Sequence, residues 1–102
     1  MQFKEFGYFE GLPYEESRES FDSYREYQNT ISKDTVIAYM EKLGFAITSL
    51  PSYDIFTGEK LQAGEYIDGE FSFPYEFLHY YKNYDIGIPY EYEEYLKEKG
   101  IQ

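Results

Sequence analysis

The sequence predicts an α+β domain of about four helices, with a small antiparallel β element between the second and third. Three observations lead there. Val36, Ile37, Met40 and Leu43 recur at i, i+1, i+4 and i+7, the stripe of a half-buried helix. Asp68-Gly69 lies between Tyr66-Ile67 and Glu70-Phe71, a short-range hairpin signal. Pro-Tyr-Glu occurs at 13–15, 74–76 and 89–91. Each copy joins a proline suited to a first helical turn with a glutamate that complements the helix dipole.

Residues 1–12 read as an extended or irregular lead-in, because the spacing of Phe3, Phe6, Tyr8 and Phe9 fits neither period and Gly7 and Gly11 interrupt a helix. The first helix is expected over 14–28, with Phe21, Tyr24 and Tyr27 or Gln28 following at three- to four-residue steps. The second is expected over 34–43, capped by Ser32 or Asp34 and closed by Gly44 in a left-handed conformation. Ala46 to Thr48 suits a short strand that Pro51 ends, and residues 54–61 suit a hairpin or loop. In the Asp-Gly hairpin, Phe71 and Phe73 share one face. The third helix follows Pro74 to about Asn83. The fourth opens at Pro89 and closes at Gly100, with Ile101 returning onto it. The expected core is Val36, Ile37, Met40, Leu43, Phe71, Phe77, Leu78, Tyr81, Tyr92, Tyr95 and Leu96.

With 102 residues the chain is the length of one domain, 1–102. Its start lacks the basic region and apolar run of a signal peptide, and no stretch approaches the roughly 20 apolar residues of a membrane span. A cytoplasmic protein without membrane contact is expected. Net charge is −11, of which −4 falls in residues 1–31 and −6 in residues 62–102. A field of this sign repels nucleic acid and anionic lipid and favours a basic protein partner. Fourteen tyrosines and nine phenylalanines with few Leu, Ile and Val imply a core of rings, with several tyrosines left half-exposed at an interface.

Catalytic chemistry finds little to work with. The chain has no cysteine and one histidine, His79, for which the sequence identifies no positioned partner. One histidine is too few for a transition-metal site, and Asp68-Gly69-Glu70 lacks calcium-loop spacing. No glycine-rich phosphate loop exists. No catalytic, cofactor-binding or metal residues are assigned, and no cofactor is expected.

One pattern remains. Glu15, Glu19, Asp22 and Glu26 recur at helical steps in the first helix, and Glu91, Glu94 and Glu98 recur in the last, beside Tyr90. Such steps rise about 5–6 Å, of the order of phosphate spacing, whose axial component is about 3.4 Å. These eight residues are the expected partner-binding set. They suit a protein-binding module that docks a basic partner, in sharper form a nucleic-acid-mimicking inhibitor or an immunity protein. The alternatives are a self-associating structural protein, its homodimer built on surplus tyrosines, and a carboxylate-based hydrolase acting on sugars.

Residues 54–64, DIFTGEKLQAG, and 81–96, YKNYDIGIPYEYEEYL, resemble stretches of small uncharacterised proteins from conjugative elements and phages of Gram-positive bacteria. The resemblance covers roughly the second half of the chain. It implies an accessory or anti-defence role and supplies no catalytic residue.

Overall fold

A computed structural model describes residues 3–102. It is a mixed α+β fold. A four-stranded sheet runs in the order β1-β6-β5-β2, from β1 (Lys4–Glu5), β2 (Phe45–Ile47), β5 (Gly64–Asp68) and β6 (Phe71–Pro74). β3 (Ser52–Tyr53) and β4 (Lys60–Leu61) form a separate hairpin. The α-helices are α1 (Lys33–Met40), α2 (Glu76–Asn83) and α3 (Tyr90–Glu98).

Two expectations about architecture are corrected. The region 14–28 does not form an α-helix; it is turns and bends followed by a short 3-10 helix, Phe21–Glu26. Tyr14 and Glu19 explain this: both turn their polar groups inward, Tyr14 onto Gly64 and Glu76, and Glu19 onto the Tyr8 amide. A regular helix would carry one of them to the opposite face. The strands are also not confined between a second and a third helix. Counting α-helices, β2 to β6 lie between the first and second, and β1 lies before them all. β1 pairs parallel with β6, so the sheet is not purely antiparallel.

The irregular lead-in is among the most buried parts of the molecule. Phe6, Tyr8, Phe9 and Leu12 all join the core. Phe6 stacks on Phe73 with centroids 4.7 Å apart and meets Phe77 edge-on at 5.3 Å. Phe9 meets Tyr24 edge-on at 5.0 Å. Each such pair contributes about 0.5–1.5 kcal/mol beyond area burial. Gly7 permits the path: its φ is +79°, and a Cβ there would lie 2.6 Å from the Phe77 ring.

β6 is covered on both faces, with all four of its residues buried, whereas Ile67 of β5 and all of β2 are exposed. Phe71 and Phe73 share a face with Tyr66 and Asp68, under the helices. On the other face, Tyr8 reaches Glu65 and Ser72. Of the expected core, Ile37, Leu43 and Tyr95 are only partly buried; the other members are buried.

The termini of α1 and α3 follow their residues. The Ser32 side chain accepts a hydrogen bond from the Thr35 amide at 3.2 Å and caps α1. α1 ends at Met40, and Gly44 is not left-handed. Glu41, Lys42 and Leu43 donate back to Ile37, Tyr39 and Met40 and tighten the last turn instead. Gly100 does adopt φ +83°, with Ile101 N donating to Leu96 O and Gly100 N to Lys97 O. β2 spans Phe45–Ile47, one residue before its expected place.

Candidate partner-binding trough

The tyrosines turn inward. Only Tyr53 and Tyr90 are half-exposed, which corrects the expectation of several at an interface. Seven of the fourteen donate their hydroxyl to a carboxylate. Asp68, in the β5–β6 turn, accepts from Tyr39 at 2.7 Å, Tyr92 at 2.9 Å and Tyr95 at 3.0 Å. Lys99 stands 3.7 Å away. Glu76 is buried and accepts from Tyr14 and Ser52, both at 2.6 Å. Burial pushes the Tyr92 hydroxyl up, and the Asp68 charge adds to the shift. Phenols do the work that water would otherwise do for these carboxylates.

The remaining buried acids are held by N–H groups. Asp54 accepts from the Phe56 amide at 2.7 Å, the Thr57 amide at 3.0 Å and the Tyr84 hydroxyl at 2.9 Å, and its Oδ2 lies 2.8 Å from His79 Nε2. Burial pushes its carboxyl up, but the bonds from His79, Phe56, Thr57 and Tyr84 outweigh it and hold the group at about 2. Glu93 accepts from the amides of Thr30 at 2.7 Å and Ile31 at 3.1 Å. Burial acts against these bonds too, yet its carboxyl ends below its ordinary value.

The structure thus supplies His79 with the partner that the sequence does not identify, Asp54. The pair is half of a nucleophile-activating set. The other ring nitrogen, Nδ1, faces the Asn83 side-chain amide at 3.4 Å, and that amide donates to the His79 carbonyl at 2.8 Å. Both ring nitrogens are therefore engaged, and the pair braces the loop that Asp54 opens. Among the described residues, no group of three or more His, Asp or Glu could hold a metal ion. No helix among them is long and apolar enough to cross a membrane.

Exposed charge gathers elsewhere. β1 and the β5–β6 turn bring Lys4 and Glu70 beside α3, opening a groove of about 470 Å³. Glu70, Glu91, Glu94 and Glu98 line it, with Phe71 and Tyr95 as its apolar part. A smaller groove of about 180 Å³ adjoins it and shares Lys4, Phe71 and Glu91; Glu5 and Glu19 also line it. The two form one trough, divided where Lys4 pairs with Glu91 and, at 3.3 Å, with Glu70. Six carboxylates and one lysine line it, and Glu94 also pairs with Lys97, outside the lining, at 3.8 Å. Partial desolvation pushes the Glu5 carboxyl up, and the charges of Glu16, Glu65 and Glu19 add to the shift.

Of the eight expected site residues, Glu19, Glu91, Glu94 and Glu98 line the trough. Glu19 does so as a half-buried group already bonded to Tyr8 N and Tyr24 Oη. Glu15 and Glu26 are exposed away from it, and Asp22 pairs with Arg25 at 3.3 Å. The stripe Glu15-Glu19-Asp22-Glu26 does not exist as such, because its helix does not form. Tyr90 is outside the trough; its hydroxyl accepts from Gln28 N at 3.0 Å and its ring meets Tyr27 edge-on at 5.0 Å. Lys4, Glu5 and Glu70 were missed. Glu70 stood beside the legible Asp-Gly turn, but the parallel pairing that brings in Lys4 and Glu5 leaves no sequence signal.

Comparison with protein-family models, with curated proteins and with solved structures finds no match.

Proposed function

We propose that this chain is a non-enzymatic binding module that docks a basic segment of a partner protein in the trough beside α3. The observation that carries this reading is the convergence of Glu70, Glu91, Glu94 and Glu98 around an apolar lining of Phe71 and Tyr95. A lysine or arginine of the partner lays its aliphatic stem on the rings and its charge among the carboxylates. Lys4 already occupies one such position, and an incoming cation takes its place between Glu70 and Glu91. The −11 field draws a basic partner in and repels an acidic one. A duplex-mimicking form needs two helical carboxylate stripes, and only the α3 stripe is helical, so the reading stops at a basic protein segment.

A hydrolase reading gains nothing from the trough. Glu70 and Glu91 both pair with Lys4, an arrangement that balances charge and does not set one carboxylate as acid against another as nucleophile.

The test is a titration of the isotope-labelled chain with a short polylysine peptide, followed by amide chemical shifts. Shifts are expected at Lys4, Glu70, Glu91, Glu94 and Glu98. Shifts spread evenly over all surface carboxylates, or centred on Glu15 and Glu26, would remove the trough from the account.

A further inference from the structure

The trough lies at the β1 edge of the sheet, and the opposite edge, β2, carries a different surface. Residues 43–53, LGFAITSLPSY, contain no acidic or basic residue in a chain that is 28% charged. β2 falls within that run, and Phe45, Ala46 and Ile47 are all exposed. Natural edge strands are blunted by lysine, proline or a bulge. β2 has none of these, and its one neighbour is β5.

The hydrogen-bond phase shows which backbone groups are free. Thr48 N donates to Ala63 O, and β2 continues antiparallel in that register, so Ala46 and Glu65 form the next bonded pair. Phe45 and Ile47, one residue out of phase, direct their N–H and C=O groups to the open side. Among the described residues, no other strand takes them.

We infer that β2 pairs with β2 of a second copy of this chain, antiparallel about a two-fold axis at Ala46, giving one eight-stranded sheet. In that register Phe45 of each copy faces Ile47 of the other, and these are the residues whose backbone groups are free. Each Phe45 ring then meets a β-branched side chain on the same face, a favourable cross-strand pair. The small Ala46 sits on the axis, where two backbones approach closest.

Charge selects a copy over another partner. Two chains of −11 repel wherever their carboxylates meet, and this strip, whose one charged cross-strand partner is Glu65, is where they approach with few carboxylates at hand. A basic protein is drawn to the carboxylates instead. Phe45, Ile47 and Leu50, at 41%, 65% and 44% exposure, offer on the order of 300 Å² per copy against about 800 Å² per partner in a stable complex. The dimer is therefore weak and concentration-dependent. It leaves both troughs open at the far ends of the sheet, so a partner with two basic segments engages both.

The test is sedimentation equilibrium of the full chain at low and high salt, beside the Ile47→Lys variant, with amide exchange read at Phe45 and Ile47. The expected result is a dimer with a dissociation constant of about 0.1 mM. It tightens as salt screens the like charges, and Ile47→Lys weakens it by about tenfold or more. Protection of the Phe45 and Ile47 amides rises with concentration in the native chain, a readout that does not depend on the variant folding. The inference is overturned by a chain still monomeric at about 1 mM with both amides exchanging freely. A dimer that Ile47→Lys leaves intact, or an edge that pairs only with an extended peptide of another protein, also overturns it. Polylysine binding at the trough is measured separately, so the two readings fail independently.

Discussion

Asp68 and its three tyrosines show how single residues organise this protein. A buried carboxylate without donors is costly, and here phenol hydroxyls provide them. Tyr92→Phe removes one bond and little volume, and it is expected to cost about 1–2 kcal/mol by urea unfolding. Tyr90→Phe, on a half-exposed ring, is expected to cost less than about 0.5 kcal/mol. Asp54 carries a pH dependence. Its folded carboxyl titrates at about 2, below its ordinary 3.8, so it binds its proton later than the unfolded chain does. Its contribution is complete above pH 4, about 2 kcal/mol, and is lost as pH falls from 4 to 2. Glu93 acts in the same direction, and Glu5, whose carboxyl is pushed up, acts in the opposite one. Thermal melts across this range are expected to show a shallower acid limb in Asp54→Asn than in the native chain. The sequence displays the tyrosine excess but not its use, because all of the hydroxyl–carboxylate pairs except Tyr24–Glu19 join residues distant along the chain, such as Tyr14 and Glu76.

At the scale of elements, local signals were legible where the element is locally determined. The Val36–Met40 stripe, the Ser32 cap, the Asp68-Gly69 turn and the Gly100 terminus all depend on neighbours in sequence. The failures are elements fixed by distant partners. Residues 14–20 have helical composition, but Tyr14 and Glu19 are claimed by the sheet and the lead-in. The lead-in has no period because its rings each meet several distant elements: Phe6 meets β6 and α2, and Phe9 meets Tyr24 and α2. Gly69 links turn to site. Its φ is +60°, and a Cβ would lie 2.5 Å from the Tyr95 hydroxyl that bonds Asp68. Gly69→Ala is expected to cost about 1–2 kcal/mol or more and to lower the thermal midpoint by several degrees. A melt unchanged from the native chain would mean that the turn relaxes freely.

Across the whole molecule, charge is sorted by depth and by side. Asp54, Asp68, Glu76 and Glu93 are internal and satisfied, so they do not mark a binding surface. The trough beside α3 concentrates exposed carboxylates at one edge of the sheet, and an uncharged strip occupies the other. Half of the expected site residues reach the trough. Those on α3 do so because the helix was legible, and Glu19 does so by a route that the sequence does not show.

The measurement that tests the central claim most directly is polylysine affinity at low and high salt, for the native chain and the triple variant Glu91→Gln, Glu94→Gln, Glu98→Gln. The native chain is predicted to bind and to lose about tenfold or more in affinity as salt rises. The triple variant is predicted to bind at least about tenfold more weakly at low salt, with a flatter salt dependence. Equal affinity and equal salt dependence in the two chains would contradict the account, because the trough would then contribute nothing beyond the net charge of the molecule.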